Sequence, residues 1–375
     1  MLKIIHTGDI HLDAPFSLSD VQKARMRKNE LKETFANLVL FAKNEEADLM
    51  ILSGDVFDGD FVTTETVYFL RDQLASVPDC RFVIAPGNHD PISERSPYRK
   101  VVFSENVYIF QEETVSCFSF PEIGVDVYGY AFTGTYYEKN PLAQPLTLDK
   151  NKINILAAHA DVGGKSRYCP LSVSDIASSG FDYVALGHIH KGGELKTAGK
   201  TYYAYCGCPE GRSFDECGVK GAFFADMLKT GGKLSAKFVF KRFGKSRYEK
   251  MTLDVTGIPS QDALDARVRD MILEEGFGSD TLLRVRLTGR ISPETKIDAD
   301  RLDAKTLGVS FLETEDATLP LLDYENLKND ISIRGAFFRE LLPLLESENE
   351  EERRTAAQAL RYGFAALDGN DIVDF

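Results

Sequence analysis

The first 240 residues repeat one pattern of apolar and polar positions. Short, continuous apolar runs end in glycine or a polar residue, and segments with helical spacing follow several of them. Runs without strict alternation are typical of strands that are buried on both faces. The pattern therefore predicts five strands, at residues 2–5, 49–52, 82–85, 153–158 and 183–186.

The segments between the runs carry apolar residues at helical spacing. Leu31, Phe35 and Leu38 follow the first run, and Leu70 and Leu74 follow the second. Strands that alternate with helices favour an α/β fold. We predict a layered α/β architecture, in which β-sheets are flanked by helices.

The pattern changes near residue 245. Residues 238–250 are basic and aromatic, which is typical of a strand end and a linker, and the sequence from 251 predicts a small β-α-β unit. From about residue 321 the apolar spacing becomes helical. We predict three parts: residues 1–245, an α+β domain at 246–320 and a helical C-terminal tail at 321–375 that could bind a partner.

The net charge of −14 is concentrated in the C-terminal third. Residues from 251 onward hold 26 acidic and 14 basic side chains, so residues 1–250 keep 58 − 26 = 32 acidic and 44 − 14 = 30 basic ones. The near-neutral N-terminal part does not exclude a polyanionic substrate. The basic residues between Lys237 and Lys250 are compatible with a nucleic-acid contact and with a polar strand edge.

Cysteine use and hydropathy indicate a cytoplasmic protein without a membrane span. The six cysteines contain no CxxC pair, which is typical of reduced thiols, and no apolar run approaches 18 residues. The opening residues lack the pattern of a signal peptide. Most of the thiols are expected to be buried apolar residues, and the role of Cys206 and Cys208 is left open.

Polar side chains follow all five predicted strands. They are Asp9 and His11, Asp55, then Asn88, His89 and Asp90, then His159, and finally His188 and His190. Because the carboxyl ends of strands in an α/β sheet share one edge, we expect these side chains to meet there. The i, i+2 spacing of the Asp9 and His188 motifs lets both side chains of each pair point the same way.

The donor types favour a pair of metal ions. Carboxylate, imidazole and amide oxygen without thiolate suit Mn²⁺, Fe or Zn²⁺, and two ions about 3.5–4 Å apart are a known device for hydrolysing phosphate esters. An isolated Asp or Asn after a strand is more often a turn former or helix cap. Five of the six histidines fall at predicted strand ends, however, and only His6 lies inside a strand, where we expect a structural role.

The motifs GDIH, GDVFD, GNHD, a single histidine and GHIH, in this order, resemble the calcineurin-like metallophosphoesterase superfamily. Within it, HTGDIHLDAPF and GCPEGRSFDECGVKG resemble the SbcD-type DNA repair exonucleases, in the YhaO-like branch. The resemblance covers about residues 1–245. It implies that this part is the metallophosphoesterase (nuclease) domain and that residues 246–320 form a cap.

The resemblance also implies a role for each motif residue. Asp55 would bridge two divalent ions, which the resemblance implies are Mn²⁺. His89 would protonate the leaving oxygen or stabilise charge on the phosphate, and Asp90 would orient it. No catalytic role is assigned to Asp58, because some relatives carry a histidine at its position. The expected ligands of one ion are Asp9, His11 and His190, and those of the other are Asn88, His159 and His188.

The implied function is a DNA nuclease that acts as the nuclease subunit of an SbcCD-like complex. Its expected partners are DNA, an SbcC-like SMC-family ATPase and a second copy of the chain. Two alternatives stay open: a general phosphoesterase for nucleotides or phosphoproteins, and a scaffold subunit with little turnover. Lys191 and Arg212 lie near the motifs and would either meet substrate phosphates or form a solvated rim.

Overall fold

The computed structural model describes residues 1–16, 21–59, 62–164, 166–292, 295 and 297–367. The chain divides into two compact units, Met1–Lys245 and Ser246–Phe375. The last eight residues of the predicted helical tail lie outside the described residues. The three-part division of the chain stays a prediction.

The first unit alternates strands with helices, as the apolar pattern predicts. Its helices are α1 (Val21–Asn44), α2 (Thr64–Ala75) and α3 (Val173–Ser179). Its strands are β1 (Leu2–Thr7), β2 (Leu49–Leu52), β3 (Arg81–Ile84), β4 (Val107–Ile109), β5 (Ser116–Phe120), β6 (Val125–Gly129), β7 (Ile153–His159), β8 (Asp161–Val162), β9 (Pro170–Leu171), β10 (Tyr183–Gly187), β11 (Lys196–Ala198), β12 (Thr201–Tyr205), β13 (Gly221–Thr230) and β14 (Lys233–Arg242).

Two six-stranded sheets form the body of this unit, in the orders β14-β13-β1-β2-β3-β4 and β11-β12-β10-β7-β6-β5. Strands β1 to β4 are parallel, as are β6, β7, β10 and β12, while β13 joins β1 antiparallel. The layered α/β fold is therefore confirmed. The prediction that all five strands end at one shared sheet edge is wrong. Three of them (β1, β2 and β3) lie in the first sheet, and two (β7 and β10) lie in the second.

Alternate residues of the second sheet enter two different hydrophobic clusters. On β7, Ile155 and Ala157 belong to the cluster shared with the first sheet and with α1 and α2, whereas Leu156 and Ala158 belong to a cluster on the other face. Burial of both faces explains why these strands read as continuous apolar runs. The two sheets face each other across one core, so the carboxyl ends of both can still supply one site.

The second unit contains a parallel three-stranded sheet and a group of helices. The elements are β15 (Arg247–Asp254), α4 (Gln261–Glu274), β16 (Thr281–Thr288), β17 (Arg290–Ile291), α5 (Ala304–Leu307), β18 (Phe311–Asp316), β19 (Leu319–Pro320), α6 (Tyr324–Asn329), α7 (Ile333–Leu345) and α8 (Glu350–Leu367). Strands β15, β16 and β18 pair in that order, with α4 packed on one face, while α7 and α8 share a separate cluster. Among the described residues, no helix is both long and apolar enough to cross a membrane.

His6 lies inside β1 and is fully buried, bonded to the Tyr183 hydroxyl at 2.7 Å and to that of Ser53 at 3.0 Å. Burial lowers the pKa of His6 from its ordinary value of 6.5 to about 3. Between these two pH values only the unfolded chain binds the proton. The stabilising contribution of neutral His6 is therefore complete above pH 6.5 and is lost as the pH falls, by about 1.4 kcal/mol per pH unit.

We expect His6→Gln to reduce this acid sensitivity. Between pH 7 and pH 5 the native chain should lose about 2 kcal/mol more free energy of unfolding than the variant, because other titrating groups act equally in both. Urea unfolding at the two pH values, followed by circular dichroism, measures this difference. Equal pH dependence of the two proteins would contradict the prediction.

Candidate metal centre

The end of β7 and the loops that follow β1, β2, β3 and β10 bring the predicted ligands into one cluster. Asp9, His11 and His190 offer donor atoms that all lie within 4.8 Å of one another, and so do Asp9, Asp55 and His159. Asp9 belongs to both groups. The structure thus brings together residues that are up to 181 positions apart, which is the arrangement that the strand-end motifs predict.

The backbone at this cluster is strained. Asp9, His11 and Asp55 have φ angles of 48°, 51° and 49°, and His188 has 95°. Non-glycine residues rarely adopt positive φ, and such strain concentrates at functional sites. At Gly54, where φ is +92°, an added Cβ would lie 2.4 Å from Nδ1 of His159. The glycine of the GDVFD motif is therefore required by both backbone angle and space.

Two histidines present their Nε2 atoms to each other. Nδ1 of His11 is 2.8 Å from Oδ1 of Asp58, and Nδ1 of His190 is 2.7 Å from Oε1 of Glu216. Carboxylates can only accept, so each Nδ1 carries the proton and each neutral ring has a lone pair on Nε2. The two Nε2 atoms are 3.1 Å apart. Two acceptors this close need a cation or an added proton between them, so these residues fit a divalent metal ion.

His159, on the other side of Asp55, also uses Nδ1 for a hydrogen bond to the protein and directs Nε2 toward the ligand cluster. Its Nδ1 donates to the backbone carbonyl of Ser53 at 3.0 Å, while its Nε2 is 2.9 Å from Oδ1 of Asn88 and 3.3 Å from Oδ2 of Asp55. The same Oδ2 atom is 3.7 Å from Nε2 of His11. The Asp55 carboxylate therefore lies between the two histidine groups, which is the place that a bridging ligand occupies.

His188 completes the second group through its ring and its backbone. Its imidazole centroid is 5.1 Å from that of His159. Its backbone N–H donates to both carboxylate oxygens of Asp9, at 2.9 and 3.1 Å. Asp9 is fully buried, so these bonds fix its carboxylate while leaving lone pairs for a metal ion.

The electrostatics of the protein groups alone place a positive charge where a metal ion fits. Burial opposes the charged form of both partners, but the mutual attraction of Asp55 and His159 prevails. It lowers the pKa of Asp55 far below its ordinary value and raises that of His159 to about 9. Burial lowers the pKa values of His11 and His188, where the nearby His159 adds to the effect at His188. A metal ion would replace the proton of His159.

His89 stands at the opening of the cluster, with 47% of its side chain exposed. Its Nδ1 is 3.1 Å from Oδ1 of Asp58, the same oxygen that accepts from His11. This hydrogen bond raises the pKa of His89 and favours its protonated form. Asp58 in turn has a pKa well below its ordinary value, since hydrogen bonds from His11 and His89 outweigh its partial burial.

The expectation that Asp90 orients His89 is wrong. The Asp90 carboxylate is buried and accepts from the backbone N–H groups of Val56 at 2.8 Å and Gly87 at 2.7 Å, and from the Tyr98 hydroxyl at 2.5 Å. These bonds tie the loops after β2 and β3 together. The carboxylate that holds the His89 ring is that of Asp58, to which the sequence analysis gave no role.

The two residues expected to meet substrate phosphates differ in their surroundings. Arg212 donates to Glu216 at 2.7 Å and lies 3.8 Å from Asp58, so its charge supports the carboxylates behind His190 and His89. Lys191 is exposed and lines a cavity of about 360 Å³ with Ile189 and Tyr205. Substrate binding by either residue stays a prediction.

The open question of the two thiols has a structural answer. Cys206 and Cys208 are both buried, and burial raises the pKa of each thiol. Neither belongs to a group of candidate metal-binding atoms among the described residues. The Cys206 thiol lies 3.7 Å from the Ser53 hydroxyl, and the Cys208 thiol lies 3.6 Å from Oε2 of Glu216, the carboxylate that holds His190.

Asp58 and Glu216 are the functional residues that the sequence analysis missed. Asp58 follows Asp55 by three positions within the GDVFD motif, and Glu216 lies in the GRSFDE segment that the resemblance had singled out. Metal-binding histidines usually donate their second ring N–H to such an acceptor. This rule indicates that each ligand histidine has an acceptor, although it does not identify which carboxylate in the sequence that acceptor is.

We expect Glu216→Gln to weaken metal binding about 10–100-fold, because the His190 ring loses the carboxylate that fixes its tautomer. Calorimetric titration of the metal-free chain with Mn²⁺ measures the affinity. Glu194→Gln is the matched control, since Glu194 is exposed and pairs with Lys196 at 3.2 Å. Equal affinities of the two variants would argue against a supporting role for Glu216.

Comparison with known proteins gives three kinds of match. The family described as calcineurin-like phosphoesterase matches residues 2–192. The uncharacterized metallophosphoesterase YhaO of Bacillus subtilis is 29% identical over 316 residues, covering 80% of this chain and 74% of that protein. The DNA double-strand break repair protein Mre11 of Saccharolobus solfataricus is 28% identical over 246 residues, or 61% of each chain. Among solved structures, a dimetal phosphatase from Danio rerio is 12% identical, with a TM-score of 0.38 over 60% of this chain and 92% of the other.

Proposed function

Since the chain belongs to the calcineurin-like phosphoesterase family, we propose that it hydrolyses phosphodiester bonds in DNA with the help of two divalent metal ions. The observation that carries this proposal is the position of the Asp55 carboxylate between His11 and His159, with the half-exposed His89 at the opening of the cluster. The donors are imidazole, carboxylate and amide oxygen, which supports Mn²⁺ as the metal, with Fe or Zn²⁺ as alternatives.

Different protein groups would bind the metal ions, donate a proton to the substrate and position the proton donor. Two ions held by these ligands supply charge neutralisation and an activated water when bound. His89 uses Nδ1 to reach Asp58 and so keeps Nε2 for the substrate. As the water oxygen bonds to phosphorus and the bond to the sugar oxygen breaks, protonated His89 gives its proton to that leaving oxygen. Asp58 holds the His89 ring in place and favours its charged form.

Two observations support DNA as the substrate. The Mre11 relative is a DNA double-strand break repair protein, and its similarity covers 61% of this chain. The first 250 residues carry nearly balanced charge, with 32 acidic and 30 basic side chains, so the part that holds the site does not repel a polyanion as a whole. The bond cleaved would be a diester, with exonuclease action the expected mode.

Cleavage of end-labelled linear DNA with Mn²⁺, beside a small chromogenic phosphodiester, tests the proposal. We expect Mn²⁺-dependent degradation of DNA that the His89→Ala variant lacks. Intact DNA together with His89-dependent hydrolysis of the small ester would reject the nuclease proposal in favour of a general phosphoesterase. Inactivity on both substrates by a metal-loaded chain would favour a scaffold subunit instead.

A group of exposed apolar side chains in the second unit supports the proposal that the chain binds a partner. Exposed apolar side chains lie just before α7 and along it. Ile331 is fully exposed, Ile333 is 73% exposed and Leu344 is 42% exposed. An SbcC-like SMC-family ATPase is the partner that the resemblance implies, together with a second copy of the chain. Ile333→Glu should reduce co-purification with such an ATPase while DNA cleavage by the isolated chain is retained. Unchanged co-purification would contradict this assignment of the surface.

A further inference from the structure

His190, a candidate metal ligand, lies outside regular secondary structure. Strand β10 ends at Gly187 and β11 begins at Lys196, so His190 belongs to the loop between them. The hydrogen bond from its Nδ1 to Glu216, at 2.7 Å, orients the ring. The position of the ring also depends on the backbone that carries it, because this loop contains no helix or strand. The contacts of the His190 backbone therefore bear on the geometry of the metal centre.

The backbone carbonyl of His190 accepts a hydrogen bond from the ammonium group of Lys220. The distance from Nζ to the carbonyl oxygen is 2.9 Å. Lys220 immediately precedes β13 and is only 4% exposed. Burying an ammonium group costs free energy unless its N–H groups find acceptors, and a charged donor makes a stronger hydrogen bond than a neutral one. The Lys220 side chain is thus placed to hold the backbone of His190.

The loop that follows β12 holds the same carbonyl from a second side. The backbone N–H of Cys208 donates to the His190 carbonyl oxygen at 3.3 Å. The two loops pack backbone against backbone at this point, since an added Cβ at Gly192 would lie 2.0 Å from the carbonyl oxygen of Cys206. Packing this close leaves the backbone of His190 little freedom to move independently of its neighbours.

Lys220 is also bonded to the segment by which the chain leaves the first unit. We call residues 243–245 the exit segment, because the first unit ends at residue 245. The carbonyl oxygen of Lys220 accepts from the backbone N–H groups of Phe243 and Gly244, both at 3.1 Å. Lys220 therefore contacts His190 through its side chain and the exit segment through its backbone.

A buried carboxylate fixes the exit segment to the loop after β12 as well. Glu210 lies in that loop and is fully buried. Its carboxylate accepts from the backbone N–H of Lys245 at 2.7 Å, and from the Thr34 hydroxyl and the Arg27 guanidinium, both at 2.8 Å. Thr34 and Arg27 belong to α1. The exit segment is thus bonded to both of the elements that hold the His190 backbone.

We infer that Lys220 positions the metal ligand His190 and couples it to the exit segment. A shift of the exit segment moves the backbone of Lys220, and the hydrogen bond from its ammonium group passes that shift to the His190 carbonyl and so to the imidazole. The inference rests on the metal site of the proposed function, but it does not depend on which substrate that site hydrolyses.

Calorimetric titration of the full metal-free chain with Mn²⁺ tests the role of Lys220. We expect Lys220→Met to weaken Mn²⁺ binding about tenfold or more, as is usual when a contact that orients a ligand is lost. Lys220→Arg keeps a charged donor and should weaken binding less. Lys229→Met is the matched control, because Lys229 lies near the far end of β13, where its side chain is 7% exposed and pairs with Asp182 at 2.6 Å. The control should lose stability but keep the native Mn²⁺ affinity.

Gly244→Ala tests the coupling without changing any residue that contacts His190. Gly244 does not have a positive φ, so its backbone accepts alanine. An added Cβ would lie 3.0 Å from Cβ of Lys220 and 3.2 Å from the carbonyl oxygen of Pro209, so one of them must move. We expect weaker Mn²⁺ binding and a changed visible absorption of the Co²⁺-loaded chain, which reports the coordination geometry. Gly134→Ala is the matched control, since an added Cβ there would meet no atom of a residue beyond its chain neighbours within 4 Å among the described residues.

Weaker Mn²⁺ binding by Lys220→Met and Gly244→Ala, with native affinity in both controls, supports the inference. Native affinity in Lys220→Met, or an equal loss in Lys229→Met, overturns it and leaves Lys220 as a residue that only stabilises the fold. Native affinity and an unchanged Co²⁺ spectrum in Gly244→Ala overturn the coupling. If circular dichroism shows that Lys220→Met does not fold, Lys220→Arg and Gly244→Ala decide. A native chain that binds no Mn²⁺ contradicts the metal site itself, and with it the proposed function.

Discussion

Replacing Asp55 with asparagine is expected to lower phosphodiester hydrolysis about a thousandfold or more. The Asp55 carboxylate lies between His11 and His159, at 3.7 and 3.3 Å from their Nε2 atoms. An amide oxygen there removes one negative charge from both ligand groups at once. Two-metal catalysis stabilises transition-state charge by several kcal/mol, and each 1.4 kcal/mol corresponds to a factor of ten in rate.

Steady-state rates and metal content measured on the same preparation test this prediction. Asp13→Asn is the matched control, because Asp13 follows His11 by two positions, but its carboxylate accepts from the backbone N–H and the hydroxyl of Thr63, at 2.9 and 2.8 Å, next to the start of α2. We expect the control to keep its metal and its rate. An Asp55→Asn variant that binds metal with native affinity and turns over within tenfold of the native rate would rule out the bridging position.

Replacing His89 with alanine is expected to lower hydrolysis about 10²–10⁴-fold without loss of metal binding. His89 is outside the two groups that share Asp9, although it forms a third group of candidate donor atoms with His11 and Asp58, and nearly half of its side chain is exposed. Its removal takes away the proton donor to the leaving oxygen while the ligands stay in place. A substrate with a good leaving group, such as a nitrophenyl ester, should lose less activity than DNA, since that group needs little protonation.

Asp58→Asn separates the positioning of His89 from its chemistry. The amide can still accept a hydrogen bond from one imidazole, but it lacks the charge that raises the pKa of His89. We expect a rate between those of the native chain and His89→Ala, and little further loss when both substitutions are combined. Independent, multiplying losses in the double variant would show that Asp58 acts through another residue, such as His11, whose Nδ1 donates to the same oxygen.

The ligand cluster could be predicted because each of its motifs lies at or just after the end of a predicted strand. Asp9 and Asp55 follow the ends of β1 and β2 by two and three residues, and His159 is the last residue of β7. The carboxyl ends of strands are where an α/β layered fold collects side chains into a site. The division of those strands between two sheets was not predictable. Apolar runs show that a strand is buried on both faces, but they do not show which strand is its neighbour.

The contacts behind the ligands could not be assigned from the sequence. Asp58 and Asp90 both stand beside motif residues, yet one carboxylate faces the imidazole of His89 and the other faces backbone N–H groups of two loops. A side chain three positions from a ligand turns toward it or away from it according to the loop backbone, which here includes positive φ values at Asp9, His11 and Asp55. The spacing of residues in the sequence does not determine these φ angles.

The most direct test is the number of Mn²⁺ ions that one chain binds at equilibrium. If the group of Asp9, His11 and His190 and the group of Asp9, Asp55 and His159 each hold one ion, one chain binds two. We predict two Mn²⁺ per native chain by elemental analysis after dialysis, and fewer in the Asp55→Asn variant. A native chain that saturates with one ion, or binds none, would contradict the dimetal site on which the proposed hydrolysis depends.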